Sequence, residues 1–228
     1  MANSRGRLIV LEGGDGAGKS TQLKLLAEYL EKQGKDVVNI HFPKHGVSFG
    51  KVVDDYLMGE YGDKSKIPSE FIAMLYMTDF YESKNEMECL LSEGKTIILS
   101  RFFSSTLSYQ TALSPPEQRE GIWQWIFDSC RRLPQPDLTL VLYVPVEVSS
   151  VLLSNDNRSE DYKKGKKLDQ HEADTEFQHA FMKEYDKNIE RLGWKKIDCT
   201  HENKIKSIEE IHSLVCKEID SIFSENKN

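Results

Sequence analysis

The 228-residue chain, 39% hydrophobic and 29% charged, is long enough to bury a core of its own and fits one compact α/β domain over residues 1–228. Its formal net charge is −7, and the basic residues are scattered apart from one short cluster, so no broad positive field exists to hold a polyanion and no nucleic acid is expected as partner. No window approaches ~18 uninterrupted apolar residues and Met1–Arg7 carries no hydrophobic leader; no membrane partner is expected, and the cytoplasm is the expected compartment.

Arg7–Glu12 (RLIVLE) is a short apolar run ended by glycines, the pattern of a buried parallel strand. After a glycine-rich turn, Ser20–Gln33 places Leu23, Leu26, Tyr29 and Leu30 at near-helical spacing, with Gly34 as the stop. A second strand follows at Val37–His41. The segment Phe71–Glu93 reads as helical and is stopped by Gly94, and the β-branched run Thr96–Leu99 reads as a third strand. Trp123–Arg131 reads as helix, Pro134 and Pro136 punctuate, and Leu138–Val144 is a fourth strand buried on both faces. Residues 154–171 are polar, with Lys163, Lys164, Lys166 and Lys167 around Gly165, and read as a surface excursion. A helix over Asp174–Leu192, a last strand over Trp194–Asp198 and an amphipathic helix over Ile208–Phe223 close the chain. The alternation predicts a three-layer α/β fold, a parallel sheet of about five strands flanked by helices. Cys89, Cys130, Cys199 and Cys216 form no CxxC pair, which leaves neither a zinc knuckle nor a redox motif and predicts reduced thiols.

Gly13-Gly14-Asp15-Gly16-Ala17-Gly18-Lys19-Ser20, followed by Thr21, is a complete G-x-x-x-x-G-K-[ST] phosphate loop between a predicted strand and a predicted helix. Glycines let the backbone curl and aim its N–H groups at phosphate oxygens, a path side chains would obstruct. Lys19 is placed to reach the β- and γ-phosphates, the Ser20 hydroxyl to ligate Mg²⁺, and the helix N-terminus adds partial positive charge. These features predict MgATP as the bound nucleotide. Asp15, costly beside a triphosphate, is expected to face an acceptor; the other reading is a carboxylate that caps the turn or the first helix.

Several stretches together resemble the thymidylate kinase family over most of the chain. LIVLEGGDGAGKSTQLKLL resembles its first strand, loop and helix, including the loop aspartate, here Asp15, which in the family contacts the deoxyribose hydroxyl. Phe42-Pro43-Lys44 resembles its F-P-x-R turn, with Lys44 the basic residue near the acceptor phosphate. Ser100-Arg101-Phe102, continued by Ser105, Thr106, Tyr109 and Gln110, resembles the Asp-Arg-Tyr/His signature and its S-T-x-x-Y-Q continuation. Pro136-Asp137-Leu138-Thr139-Leu140 resembles the approach to its fourth strand, and Leu168-Asp169-Gln170-His171-Glu172 its D-R-x-E lid end.

The resemblance implies a nucleoside monophosphate kinase with thymidylate as the leading acceptor. It makes Arg101 the acceptor-phosphate clamp, Tyr76 the aromatic beside the base, residues 154–171 a mobile lid, and a homodimer the assembly. Because Gly16 stands where one branch of the family has arginine, Arg158 and the lysines of 163–167 become candidate transfer cations; the other reading of 154–171 is an ordinary solvated loop. The chain departs from the family pattern at Ser100 (for aspartate), at Phe80 (for the arginine of L-x-F-x-x-x-R) and at Tyr143 (for an acidic residue), which leaves the acceptor base open. A P-loop kinase for another nucleotide or a nucleoside, and a non-catalytic nucleotide-binding protein, remain the alternatives. The nucleoside kinase would need a general base, for which Asp15 is the candidate.

Overall fold

A computed structural model describes residues 5–155, 171 and 174–224, the side chains of 154 and 155 excepted. Its centre is a five-stranded parallel sheet built from β1 (Leu8–Gly13), β2 (Val37–His41), β3 (Thr96–Ser100), β4 (Leu138–Tyr143) and β5 (Lys195–Asp198), ordered β2-β3-β1-β4-β5. Alternate strand residues face opposite layers. Leu8, Val10, Ile97 and Leu99 point into one core, where they meet Ala73, Met77, Phe80, Leu107 and Trp123. Ile9, Leu11, Ile98, Leu140 and Leu142 point into the other, against Leu26, Leu30, Val215 and Ile219. Strands covered on both faces have no polar alternation, which is why they read from sequence as continuous apolar runs.

The helices of the second core are α1 (Lys19–Lys32) and α9 (Ile208–Ser224); those of the first are α3 (Ser69–Glu82), α4 (Lys84–Ser92), α5 (Phe103–Leu113) and α6 (Arg119–Ser129). Between β2 and α3 lie α2 (Ser48–Leu57) and a 3-10 turn at Lys64–Lys66, while α7 (Val146–Asn155) follows β4 and α8 (Thr175–Leu192) precedes β5. A two-stranded hairpin of β6 (Thr200–His201) and β7 (Lys204–Ile205) leads into α9. Asp174 caps α8 by accepting from the Phe177 amide at 2.9 Å.

Every strand expected from the sequence is present within a residue or two of its expected bounds, and the sheet is parallel as expected. The helical stretch expected over 71–93 is two helices. Ser83 separates them: its hydroxyl bonds back to the Asp79 carbonyl at 3.2 Å, an alternative partner that competes with the helical ladder. Three helices, α2, α5 and α7, stand where no helix was expected. In α5 nine of eleven residues are buried, so no polar face marks the helix. In α2, Gly50 is needed because a β-carbon there would fall 2.0 Å from the Lys44 carbonyl oxygen. The four cysteines are free thiols, two of them buried.

Candidate active site

β1 and β3 are hydrogen-bonded neighbours with Leu11 opposite Ser100, so the loop after β1 and the turn after β3 emerge side by side at the carboxyl end of the sheet. Ligands of open α/β sheets collect on that edge. The loop 13–18 carries three glycines in the left-handed half of conformational space, Gly13 (φ 141°), Gly16 (φ 75°) and Gly18 (φ 83°). Space confirms the need at two of them: a β-carbon on Gly13 would lie 2.5 Å from the Leu142 carbonyl oxygen, and one on Gly16 would lie 3.0 Å from both the Ser149 carbonyl oxygen and Leu153 Cγ. Gly18 is the N-cap of α1 and gives it no side-chain cap, which leaves the first-turn amides directed toward the loop. Asp15 therefore does not cap α1.

The buried Lys19 ammonium folds across the loop, donating to the Gly13 carbonyl at 3.1 Å and the Gly14 carbonyl at 2.8 Å. Arg101 reaches the same Gly13 carbonyl from β3, through Nη1 at 3.4 Å. Its Nη1 also donates to Ser105 Oγ at 3.2 Å, and its Nη2 to Asp15 Oδ1. The Tyr109 hydroxyl donates to Asp15 Oδ2 at 3.3 Å, and the guanidinium lies over the Tyr109 ring. Burial alone would raise the Asp15 carboxyl, but Arg101, then Lys19, hold it at about 2. Arg101 moves the other way: burial pulls its pKa down, and Tyr109 and Asp15 push it well above the ordinary guanidinium value. The pair is therefore ionised at any working pH.

Arg101 itself has φ 65°, a left-handed conformation costing about 1–3 kcal/mol in a non-glycine residue, and its amide donates to the Leu11 carbonyl at 3.1 Å. Such outliers concentrate where a side chain must be aimed. Thr21 and the exposed Ser20 follow Lys19 in the first turn of α1, and Ala17 is buried beneath the loop.

The other expected acceptor residues scatter around this centre. Phe42 precedes Pro43 through a cis peptide bond and is buried against Phe80 and Phe102, with ring centroids 5.0 and 5.8 Å away. Phe80, in the place of an arginine, is thus a core side chain. Lys44 turns outward, its ammonium 3.3 Å from Glu86, while its amide donates to Asp79 Oδ2 at 2.9 Å. Tyr76 is half-buried, edge-on to Tyr56. Thr106 and Gln110 lie one turn apart on α5, both buried, with Thr106 Oγ1 and Gln110 Oε1 lacking a hydrogen-bond partner among the described residues. Ser100 is buried with its hydroxyl in the same condition. Tyr143 donates to Asp186 at 3.1 Å and lies under the Lys196 ammonium, part of the β4–β5 edge and not of the loop cluster. Arg158, Lys163, Lys164, Lys166, Lys167, Asp169, Gln170 and Glu172 lie outside the described residues.

Four residues at the site were not singled out from sequence. Glu12, at the end of β1, is fully buried and accepts from the Phe102 and Ser105 amides and from the Ser104, Ser105 and Tyr185 hydroxyls. A carboxylate closing an apolar strand at the ligand edge of the sheet was a readable signal. Asp79 is fully buried, with burial pushing its carboxyl up to about 6 and its Oδ1 without a partner among the described residues. His171 packs between Tyr56, Tyr109 and Phe177 and shares a 2.9 Å hydrogen bond with the Tyr56 hydroxyl; burial drives its imidazole down to about 3, so it is neutral. Neither His171 nor Tyr185 carries a local sequence signal, because only the tertiary fold brings them near the loop.

The thymidylate kinase family matches residues 11–213. A "Thymidylate kinase" of Desulfotalea psychrophila is 33% identical over 172 residues, 74% of this chain and 80% of its own, and a "Probable thymidylate kinase" of Thermococcus onnurineus is 33% identical over 210 residues, 90% of this chain and 93% of its own. A solved thymidylate kinase structure from Candida albicans, 23% identical, superposes with a TM-score of 0.75 over 95% of this chain and 92% of that one, a likeness of fold. The chain belongs to the thymidylate kinase family.

Proposed function

We propose that the chain transfers the γ-phosphoryl group of ATP to thymidylate, giving ADP and dTDP. One observation carries the reading: the Lys19 ammonium, from the start of α1, and the Arg101 guanidinium, from the end of β3, reach the same Gly13 carbonyl oxygen. Two cations that meet at one atom can face one another across a single transferring phosphoryl group, Lys19 on the donor side and Arg101 on the acceptor side. In the transfer, an acceptor phosphate oxygen bonds to Pγ as the bond from Pγ to the β–γ bridging oxygen breaks, and the electron pair leaves with ADP. Transfer of this kind needs positioned charge more than covalent help, and an acceptor phosphate needs no general base.

Asp15 supports a phosphorylated acceptor over a nucleoside. A carboxylate held at about 2 and tied to Arg101 and Tyr109 is a weak base for a sugar hydroxyl, but a sound hydrogen-bond acceptor for one. Thr106, Tyr109 and Gln110, with Tyr76 and the Phe42-Pro43 turn, are assigned to the acceptor side, and two buried oxygens without partners among the described residues fit a polar ligand there. An apolar groove of about 430 Å³ between α7 and the β6–β7 hairpin, lined by Val148, Val151, Leu152 and Ile205, suits the donor base. Mg²⁺ fits this donor set, because such ions take one or two protein oxygens plus phosphates, and Ser20 sits exposed at the start of α1. When bound it would be held by the Ser20 hydroxyl and would neutralise charge on the β- and γ-phosphates.

The whole chain is read as one kinase unit. Exposed Phe71, Met74 and Tyr81 on α3, beside Trp125 on α6, support a homodimer through that face, which sedimentation would detect. No helix among the described residues is long and apolar enough to cross a membrane, and the free thiols suit a reducing compartment such as the cytoplasm. The decisive assay is coupled ADP release with MgATP over a panel of monophosphates and thymidine. Thymidylate should be the fastest acceptor and thymidine inert; turnover of thymidine alone, or ATP binding without transfer to any acceptor, would overturn the reading.

A further inference from the structure

We infer that Glu12 is a positioning residue for acceptor phosphorylation, acting through Ser105 to aim the Arg101 guanidinium. The inference rests on the reading of Arg101 as the acceptor-phosphate cation. Glu12 sits at the end of the central strand β1 with no solvent exposure, and the transfer chemistry described above does not use it. Its Oε1 accepts from the Phe102 amide at 3.0 Å, the Ser105 amide at 3.1 Å and the Ser104 hydroxyl; its Oε2 accepts from the Ser105 hydroxyl at 2.6 Å and the Tyr185 hydroxyl at 2.7 Å. All five donors but Tyr185 belong to residues 102–105, the turn directly after Arg101. One buried carboxylate therefore fixes the backbone that follows the strained φ 65° residue. Charge-assisted bonds of this type are about twice as strong as neutral ones, enough in sum to offset the cost of that conformation.

The chain of contacts also has a direction. A serine hydroxyl has one proton to give. At Ser105 it is given to Glu12, which leaves the oxygen lone pairs to accept from Arg101 Nη1 at 3.2 Å. Glu12 thus sets the polarity of Ser105, and Ser105 in turn holds one arm of the guanidinium while Asp15 holds the other. A carboxylate, with acceptor lone pairs on both oxygens, can face five donors. A glutamine of the same size would turn an NH₂ group toward some of them, and the Ser105 proton would lose its acceptor.

The test is a double-mutant cycle on steady-state kinetics with MgATP and thymidylate, with ATP binding followed separately by a fluorescent nucleotide analogue. Glu12→Gln should lower kcat/KM for the monophosphate about 10–100-fold, the scale of a catalytic group displaced by about 1 Å, while ATP binding changes less than about twofold. In an Arg101→Ala background the same substitution should add less than about twofold, since its route to the reaction has already been cut. Independent, multiplying losses would overturn the inference, as would wild-type acceptor kinetics in Glu12→Gln. Should Glu12→Gln fail to fold, Ser105→Ala cuts the same link without touching β1, and the same pair of outcomes decides. Arg101→Ala alone tests the underlying reading: if it leaves monophosphate use intact, the assignment of Arg101 fails, whatever the coupling shows.

Discussion

Two regions of this site handle buried polarity in opposite ways. Around the loop, Glu12, Asp15, Lys19 and Arg101 are bound to groups of the chain itself, and Asp15 and Arg101 are held in their charged states. Along the acceptor wall, Asp79 Oδ1, Thr106 Oγ1 and Gln110 Oε1 are buried without partners among the described residues, and Asp79 resists ionisation. The first region is preorganised, with local strain at Arg101; the second keeps hydrogen-bonding capacity that is unmet among the described residues, which lowers stability and is open to a polar ligand or water. Paired charge and unpartnered polarity thus stand side by side on adjacent strands and helices.

The largest effect expected from breaking this division is in the charged half. Lys19→Ala should reduce turnover about 10³-fold in the ADP-release assay, the upper range for losing one preorganised charge at a transition state. Arg101→Ala should reduce kcat/KM for the monophosphate about 10²-fold with little change in ATP binding, a split that uniform damage to the loop would not give.

Smaller and opposite in sign are changes to the acceptor wall. Thr106→Val replaces an unpartnered buried hydroxyl by a methyl group and should stabilise the protein by about 1 kcal/mol, raising Tm by about 2–4 °C, while the KM for the acceptor rises. A loss of both stability and acceptor affinity would mean the hydroxyl is part of the packed scaffold.

A separate effect is read through pH. Asp79, with its folded pKa raised to about 6 from 3.8, binds its proton more tightly in the folded state, so folding stability declines as pH climbs from about 4 to 6, by roughly 3 kcal/mol. Asp15 lies on the other side of its ordinary value, at about 2: its contribution is present above about pH 4 and is lost as pH falls toward 2. Denaturation midpoints at pH 4 and pH 7 should therefore show Asp79→Asn gaining on the parent protein at pH 7 relative to pH 4. An equal offset at both values would place the Asp79 carboxyl at its usual range.

The fold was legible because its strongest elements are local. β1, β3 and β4 are unbroken apolar runs, and α1, α8 and α9 have one buried stripe and a clear stop or cap. α5 was not, since a helix buried on nearly all sides has no period to read. Within the site, the loop glycines, Lys19 and Arg101 were visible as motif residues with a strand end behind them. The hydrogen bonds of Glu12 to a turn some ninety residues away, and of His171 to Tyr56, depend on strand adjacency that no local pattern encodes. Lys44 stands at the basic position implied by the resemblance to the F-P-x-R turn; its side chain points to Glu86, and its backbone amide donates to Asp79.

Gly16 closes a route by which this chain could change. Its missing side chain lets the backbone of α7 ride directly on the phosphate loop, with φ 75° and the Ser149 carbonyl and Leu153 where a β-carbon would go. Family members with arginine at this position carry a cation on the loop itself. Here the swap would meet a left-handed dihedral of the kind that strains Arg101, and α7 atoms that must give by a few tenths of an ångström, so an arginine introduced alone should destabilise the protein.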